Sequence, residues 1–599
     1  MASDWAELRN RRNARESARS SAAPRPARAD SATVSAPATA PLELPWQPHD
    51  LPDSLAVEQL PGRGRGIVAR QPRRAGQTLL ATTPLVSVLD ARNLPHRCSH
   101  CFRSVDDIDT PPHARPRLAQ CSRCHLIQYC SPSCQKTDWP IHKKECPALS
   151  AAHERSQKAG SKRTPDAPLR ALGRLLWSAQ QQPGSDTWTQ VESLESHRLQ
   201  LTPEEQERFF QLSVSLSAYV GQETLAASCP DAAAIIDLCS RFVSNSFALT
   251  SPTDLSNIGV SICPLTALIN HSCAPNAVVV FPSFPASGSN TSKHMAVVAL
   301  RDIPAGEEIL TSYVDLSLPR TDRRRELEER YKFRCECEAC DTPAGEVDPR
   351  EAMSCPAAPK CAALLPISQP DANEVECGKC GAKAPYRDVQ PVIAAAREAY
   401  ADAEKAQYSD PRLAMLHLAN AISSMTTSLA PAPPLAPSCH PLYSSLQLLL
   451  TLQLHAHAFD RAETTASLAL AGAERLFPSG SGSGSSSSGG HHPVLALLQT
   501  THARLVTTPP ASDPAHPEGE MQYWMATGAR AYGVERLVGA LRAVESAFGD
   551  GSCGEGSDPK GRGGEKGGEM AKMLRVLIRD QEEGIEMGRR MRAAAAAQQ

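Results

Sequence analysis

Eight zinc-type ligands crowd into residues 98–146 of this 599-residue chain, and no other feature limits its fold so tightly. They stand as four close pairs: Cys98-x2-Cys101, Cys121-x2-Cys124, Cys130-x3-Cys134 and His142-x3-Cys146. Thiolates and imidazole suit zinc, and eight of them complete two tetrahedral sites with no open position, as structural metals require. So short a segment cannot build an adequate apolar core, so bound metal supplies much of its folding free energy. Spacing leaves the pairing open. Sequential pairing gives one ion the first four ligands and the other the last four. Interleaved pairing gives one ion the first and third pairs, and the other the second and fourth. His100, His113 and His125 lie nearby as rival ligands, although bystander imidazoles are the better reading.

The wider composition agrees. Fifteen of the twenty cysteines fall into spaced clusters, and with no apolar run for a signal peptide they read as reduced thiols and metal ligands. No segment is apolar enough to span a bilayer. A net charge of −3 gives no reason for strong nonspecific attraction to nucleic acid or acidic membranes. Fifty prolines and the Gly/Ser tracts 479–490 and 551–568 predict flexible connections.

Short strands are predicted at 66–69, 78–81, 277–281 and 295–300, with a turn at Ile303-Pro304-Ala305-Gly306. Leu169, Leu172, Leu175 and Leu176 recur at helical spacing. Thr202-Pro203-Glu204-Glu205 forms a capping box with proline at the first helical position. Beyond about 386 the chain turns to Ala- and Leu-rich helices. There Cys439-His440-Pro441 and His491-His492-Pro493 each open a Leu-rich stretch, as stacked helix pairs of the tetratricopeptide type would; an ordinary helical bundle explains the spacing nearly as well.

The stretch that carries chemistry is Asn270-His271-Ser272-Cys273-Ala274-Pro275-Asn276, followed by Gly306-Glu307-Glu308-Ile309 and Tyr313. Upstream stand Arg63-Gly64-Arg65-Gly66 and, within Val243–Phe247, Asn245. Downstream come Tyr331, Phe333 and Cys335-x-Cys337-x2-Cys340. Together these motifs resemble the SET domain. With the zinc block inserted upstream, the chain resembles the SMYD (SET-and-MYND) family of lysine methyltransferases, by motif over about 55–345 and by general character in the helical C-terminal half.

The resemblance implies an α+β multidomain fold. Its parts are a β-rich SET domain with a pseudoknot, an inserted MYND zinc finger, a post-SET zinc loop and an all-α, TPR-like C-terminal domain. The expected boundaries are a disordered tail at 1–45, the first part of the SET domain at 46–97 and the MYND finger at 98–146. A helical insertion at 147–240, the SET core at 241–316 and the post-SET segment at 317–345 follow. A candidate zinc ribbon at 346–385 and helices at 386–599 complete the chain.

The resemblance further implies an interleaved finger, with Cys98, Cys101, Cys130 and Cys134 on one zinc and Cys121, Cys124, His142 and Cys146 on the other. The 19-residue gap between Cys101 and Cys121 is longer than such fingers usually carry. It also implies that Arg63, Gly64, Arg65, Gly66, Asn245, Asn270, His271, Tyr313 and Phe333 contact S-adenosylmethionine. Tyr313 would orient the lysine amine and Tyr331 would shape the channel. Cys273 would join Cys335, Cys337 and Cys340 at a third zinc. Cys355-x5-Cys361 and Cys377-x2-Cys380 have the number and rough spacing for a fourth, with loose or redox-active cysteines as the other reading.

The implied activity is methyl transfer to lysine in histone or other proteins by a monomer in the nucleus, the cytoplasm or both. The finger would dock proline-containing peptides, with no membrane role and nucleic acid at most secondary. A catalytically inactive adaptor is the alternative. A DNA-binding regulator is a third reading, but Arg323-Arg324-Arg325, the clearest basic run, reads better as a solvated helix face.

Overall fold

The computed structural model describes residues 43–104, 117–158, 160, 164–181, 186–285, 288, 294–341, 346–367, 373–478, 491–507, 527–550 and 566–597. The predicted tail up to residue 42, His113 and the tracts 479–490 and 551–565 lie outside them.

Two small three-stranded sheets and a hairpin form the β-rich part. Leu55–Leu60 pairs antiparallel with Gly64–Ala69 across a turn whose Gly62 and Gly64 have φ of +72° and +74°, a region that costs residues with a Cβ. In one sheet Met295–Ala299 lies between Thr78–Thr82 and Ala277–Val280. In the other Asn257–Ile262 lies between Val86–Leu89 and Ser246–Thr250. The strands expected from sequence are thus present, with ends shifted by one or two residues.

The helices between the sheets follow their local signals. Ala167–Gln181 buries Leu172, Leu175 and Leu176 completely. At Pro203–Val220 the Thr202 hydroxyl accepts from the Glu205 backbone N–H while the Glu205 carboxylate accepts from that of Thr202, the reciprocal cap read from the sequence.

After the helix Arg320–Tyr331 and two short hairpins, helices pack each on the next from Gln390–Ala406 to Gly568–Ala597. Small residues make that close approach possible: Ala403, Ala414, Ala462, Ala466, Ala469 and Ala473 are fully buried. This arm touches the β-rich part at both ends. Its first helices share a core with Cys273, Val314 and Leu327. Its last three helices cover Val280, Ala296 and Val298, on one face of a three-stranded sheet. No helix among the described residues is long and apolar enough to cross a membrane.

Candidate active site and metal centres

Three stretches far apart in sequence meet at one junction. Asn270-His271 pairs in parallel with Leu310-Thr311, a ladder two residues long. The strand ending at Ala69 is clipped to the turn before that ladder: the Ile309 amide donates to the Ile67 carbonyl at 2.7 Å, and the Ala69 amide to that of Glu307 at 2.9 Å. Side chains then tie the three together. The Asn270 amide donates to the Arg65 carbonyl at 3.0 Å and to Glu308 Oε1 at 2.8 Å. Arg63 pairs with Glu308 at 3.0 Å and donates to the His271 carbonyl at 3.1 Å. Fully buried Asn276 donates to Glu307 and to the Glu308 carbonyl, and accepts from the Leu310 amide. A Cβ on Gly66 would lie 2.9 Å from Glu308 Oε1 and 3.0 Å from Asn270 Nδ2, so the close approach needs glycine there.

Aromatic rings line the next step outward. His271 Nδ1 accepts the Tyr313 amide N–H at 3.0 Å, which fixes the ring as a neutral imidazole. Burial agrees, pulling its pKa down to about 4. The Tyr313 ring lies 5.3 Å from that of His271 and 4.8 Å from that of Tyr331. Phe333 stands 5.9 Å from His271 and remains 37% exposed, an aromatic face left uncovered beside a polar junction. The Tyr313 hydroxyl donates to the Ile269 carbonyl at 2.6 Å, and burial raises its pKa, so it stays protonated.

Two of the residues assigned to this site have other partners. Asn245 closes the helix Ala232–Asn245, and its side chain donates to the Glu195 and Arg241 carbonyls, with no hydrogen bond to Asn270 or His271. Arg65 donates to the Ser193 carbonyl.

The cysteines gather into tetrads. Cys98, Cys101, Cys130 and Cys134 form one and Cys121, Cys124, His142 and Cys146 another, the interleaved arrangement, with His100 and His125 outside both. Cys273 joins Cys335, Cys337 and Cys340 in a third. Zinc–sulfur bonds of about 2.3 Å imply a tetrahedral edge of roughly 3.8 Å. The sulfurs lie 3.5 Å apart for Cys101 and Cys130, 3.8 Å for Cys121 and Cys146, and 3.5 Å for Cys273 and Cys340. The donor sets therefore fit zinc in both chemistry and spacing.

The reading of Arg323–Arg325 as a solvated face is corrected for two of its three residues. Arg323 is fully buried and donates to the Leu318 and Ala339 carbonyls. Arg324 donates to the Cys335 and Cys340 carbonyls, each at 3.0 Å. Only Arg325 faces solvent. Arg323 is one helical turn before buried Leu327, so both face the cysteine loop. Four thiolates around a dication leave net negative charge, which a guanidinium beside them offsets.

A buried ionic cluster, unread in the sequence, joins the Cys/His block to the rest. Glu145, between the ligands His142 and Cys146, receives Arg170 at 2.8 Å and Arg174 at 2.9 Å. Arg174 also holds Asp138 bidentately, and Asp138 accepts from the Tyr129 hydroxyl at 2.7 Å. Burial alone would raise the Glu145 pKa, but Arg170 and Arg174 hold it well below the carboxylate range. Arg170 reaches on to the Leu89 carbonyl at the end of a sheet strand. The block is thereby held to the β-rich part by charge as well as contact.

Comparison with known proteins meets this geometry. Residues 64–314 match the SET domain family. The chain carries a SET domain and is similar to proteins of the SMYD family. It is 29% identical over 301 residues to histone-lysine N-methyltransferase SMYD3 of Mus musculus, covering 49% of this chain and 64% of that one. It is 31% identical over 285 residues to N-lysine methyltransferase SMYD2 of Homo sapiens, covering 47% and 59%. The chain thus spans about three fifths of the length of the curated relatives it matches. The SET match encloses the Arg63–Gly66 turn from Gly64 on, the Asn270–Asn276 stretch and Tyr313, while Tyr331, Phe333 and the Cys335–Cys340 loop lie beyond its end.

Proposed function

We propose that this protein transfers a methyl group from S-adenosylmethionine to a lysine side chain of a protein substrate. The observation that carries the reading is the meeting of the Arg63–Gly66 turn, Asn270-His271 and the Tyr313, Tyr331 and Phe333 rings at one junction. The names of the SMYD2 and SMYD3 relatives, both lysine methyltransferases, support it.

The junction fits the cofactor by its uncovered Phe333 face and its polar turn. An aromatic face suits a flat heterocycle or a cation, and the exposed backbone around Gly64 leaves room for close approach. Asn270, the Arg63 turn and Phe333 would hold S-adenosylmethionine, which supplies a methyl group on a positively charged sulfur. Tyr313 and Tyr331 form the walls along which the lysine reaches it. Their burial disfavours the ammonium form, so the amine enters as the neutral nucleophile. The Tyr313 hydroxyl, fixed on the Ile269 carbonyl, orients the nitrogen lone pair through its oxygen. Alignment and oriented oxygens, rather than a covalent intermediate, supply the acceleration. Tyr331 stands at the end of a helix followed by the cysteine loop that meets Cys273, so zinc held by Cys273, Cys335, Cys337 and Cys340 would keep the wall in place. We assign the block at 98–146 as a MYND finger that docks protein partners, and the C-terminal helices as a TPR-like lid over the substrate cleft.

The test incubates purified protein with labelled S-adenosylmethionine and a mixed protein extract. Label on lysine is expected for the native sequence. Tyr313→Phe should lower the rate roughly 100-fold, as loss of one oriented oxygen does elsewhere, with cofactor affinity retained. Cofactor binding without lysine labelling would instead support the adaptor.

A further inference from the structure

The segment 346–385 follows the junction just described in the chain and carries four more cysteines. We propose that Cys355, Cys361, Cys377 and Cys380 bind a fourth zinc ion, and that this ion anchors the near end of the helical arm. The site lies outside the methyl-transfer reading, and its metal can be counted whether or not that reading holds.

Their sulfurs all lie within 4.8 Å of one another. Cys355 and Cys380 are 3.5 Å apart, Cys361 and Cys377 3.9 Å, spanning the roughly 3.8 Å edge of a zinc tetrahedron. The backbone around them has the form that such a site needs. Ala352–Ser354 pairs with Leu364–Pro366, and Glu374–Glu376 with Lys383–Pro385. Each hairpin delivers two cysteines from the turn after its first strand. Within the turns the Cys355 amide donates to the Ala363 carbonyl, and the Cys377 amide to that of Ala382. One further amide faces sulfur: that of Ala357 donates to Cys355 at 3.3 Å.

Energetics favour metal as well. Strands of three residues in two-stranded hairpins are marginal without help. Yet these hairpins bear a load. The Ser354 amide donates to the Pro434 carbonyl and the Ala436 amide to that of Ala352, which adds the arm's Leu435 segment to the first hairpin. Arg475 in the arm donates to the Ala362 carbonyl at 2.8 Å, inside the first cysteine turn. Arg350, just before the hairpin, donates to the Leu316 carbonyl of the β-rich part. A zinc that fixes both hairpins would therefore fix where the arm leaves the catalytic part.

Zinc content of the full-length protein tests this by elemental analysis. Four equivalents are expected, falling to three in Cys361→Ser/Cys377→Ser. Three equivalents that do not fall in this variant would overturn the site. A second readout needs no variant. Cys380 is exposed, so as a zinc ligand it should resist alkylation until a chelator is added. Rapid alkylation of Cys380 in the zinc-replete protein, or a disulfide among these four cysteines in non-reduced peptides, would also refute the proposal.

Discussion

The Cys/His block and the helical arm reach order by opposite means. In the block, sulfur and buried charge do the work: two tetrads, and the Glu145, Arg170, Arg174 and Asp138 cluster that ties it to a sheet. In the arm, alanine and leucine pack helix on neighbouring helix. The first kind of order joins residues distant in sequence and fails abruptly when one partner is lost. The second is spread over many small contacts and fails by degrees. The junction of the Arg63–Gly66 turn with Asn270 and His271 belongs to the first kind.

The largest effect expected from that contrast is on the metal-tied wall. Cys340→Ser should cut methyl transfer by roughly 100-fold or more, given what supporting groups of metal sites contribute, and should remove one zinc equivalent. Elemental analysis beside a rate assay measures both. Activity unchanged at reduced zinc would break the link between the metal and the Tyr331 wall.

Next comes the ionic cluster. Glu145→Gln leaves Arg170 and Arg174 buried without their shared carboxylate, a loss of about 3–5 kcal/mol. Thermal unfolding should show a marked drop, with a larger loss of protection from hydrogen exchange in the block than in the arm. Uniform loss would mean that the two regions are not separately held.

In the arm, Gly472→Ala places a methyl 2.8 Å from the Tyr443 ring and against the Pro437 carbonyl. Overpacking of this kind costs about 1–3 kcal/mol. The melting temperature should fall while zinc content stays constant. Zinc loss in this variant would mean that the arm and the tetrads fail together.

The smallest effect sits between the two. Glu205 caps its helix and also pairs with Lys332 at 2.6 Å. Glu205→Ala should cost about 1–2 kcal/mol, the cap and the ion pair together, read by chemical denaturation. Thr202→Ala, which removes the cap alone, should cost less.

Much of this was legible in advance, for reasons that differ by residue. The four-ligand clusters could be read because soft ligands in close pairs have few other uses, although spacing could not choose the interleaved pairing; that came from resemblance. The Thr202 cap could be read because its signal is local. The ionic cluster could not, because Asp138, Glu145, Arg170 and Arg174 look like ordinary charges on exposed helix faces until packing brings them together. Arg323 and Arg324 were misread for the same reason: a run of Glu and Arg gives no sign of which residues meet a loop folded back beneath them. Asn245 stands in a visible motif, while the partners of its side-chain amide, the Glu195 and Arg241 carbonyls, are set by packing that the motif does not encode.

Lys332, with φ of +60°, separates Tyr331 from Phe333. Non-glycine residues adopt that left-handed conformation at a cost of about 1 kcal/mol or more, and the Glu205 carboxylate rewards this one for it. The swivel turns one tripeptide into two tools, with Tyr331 against Tyr313 and Phe333 against His271. Straightening that single joint would pull the Tyr331 and Phe333 rings away from Tyr313 and His271 in one movement, leaving every residue of both pairs intact.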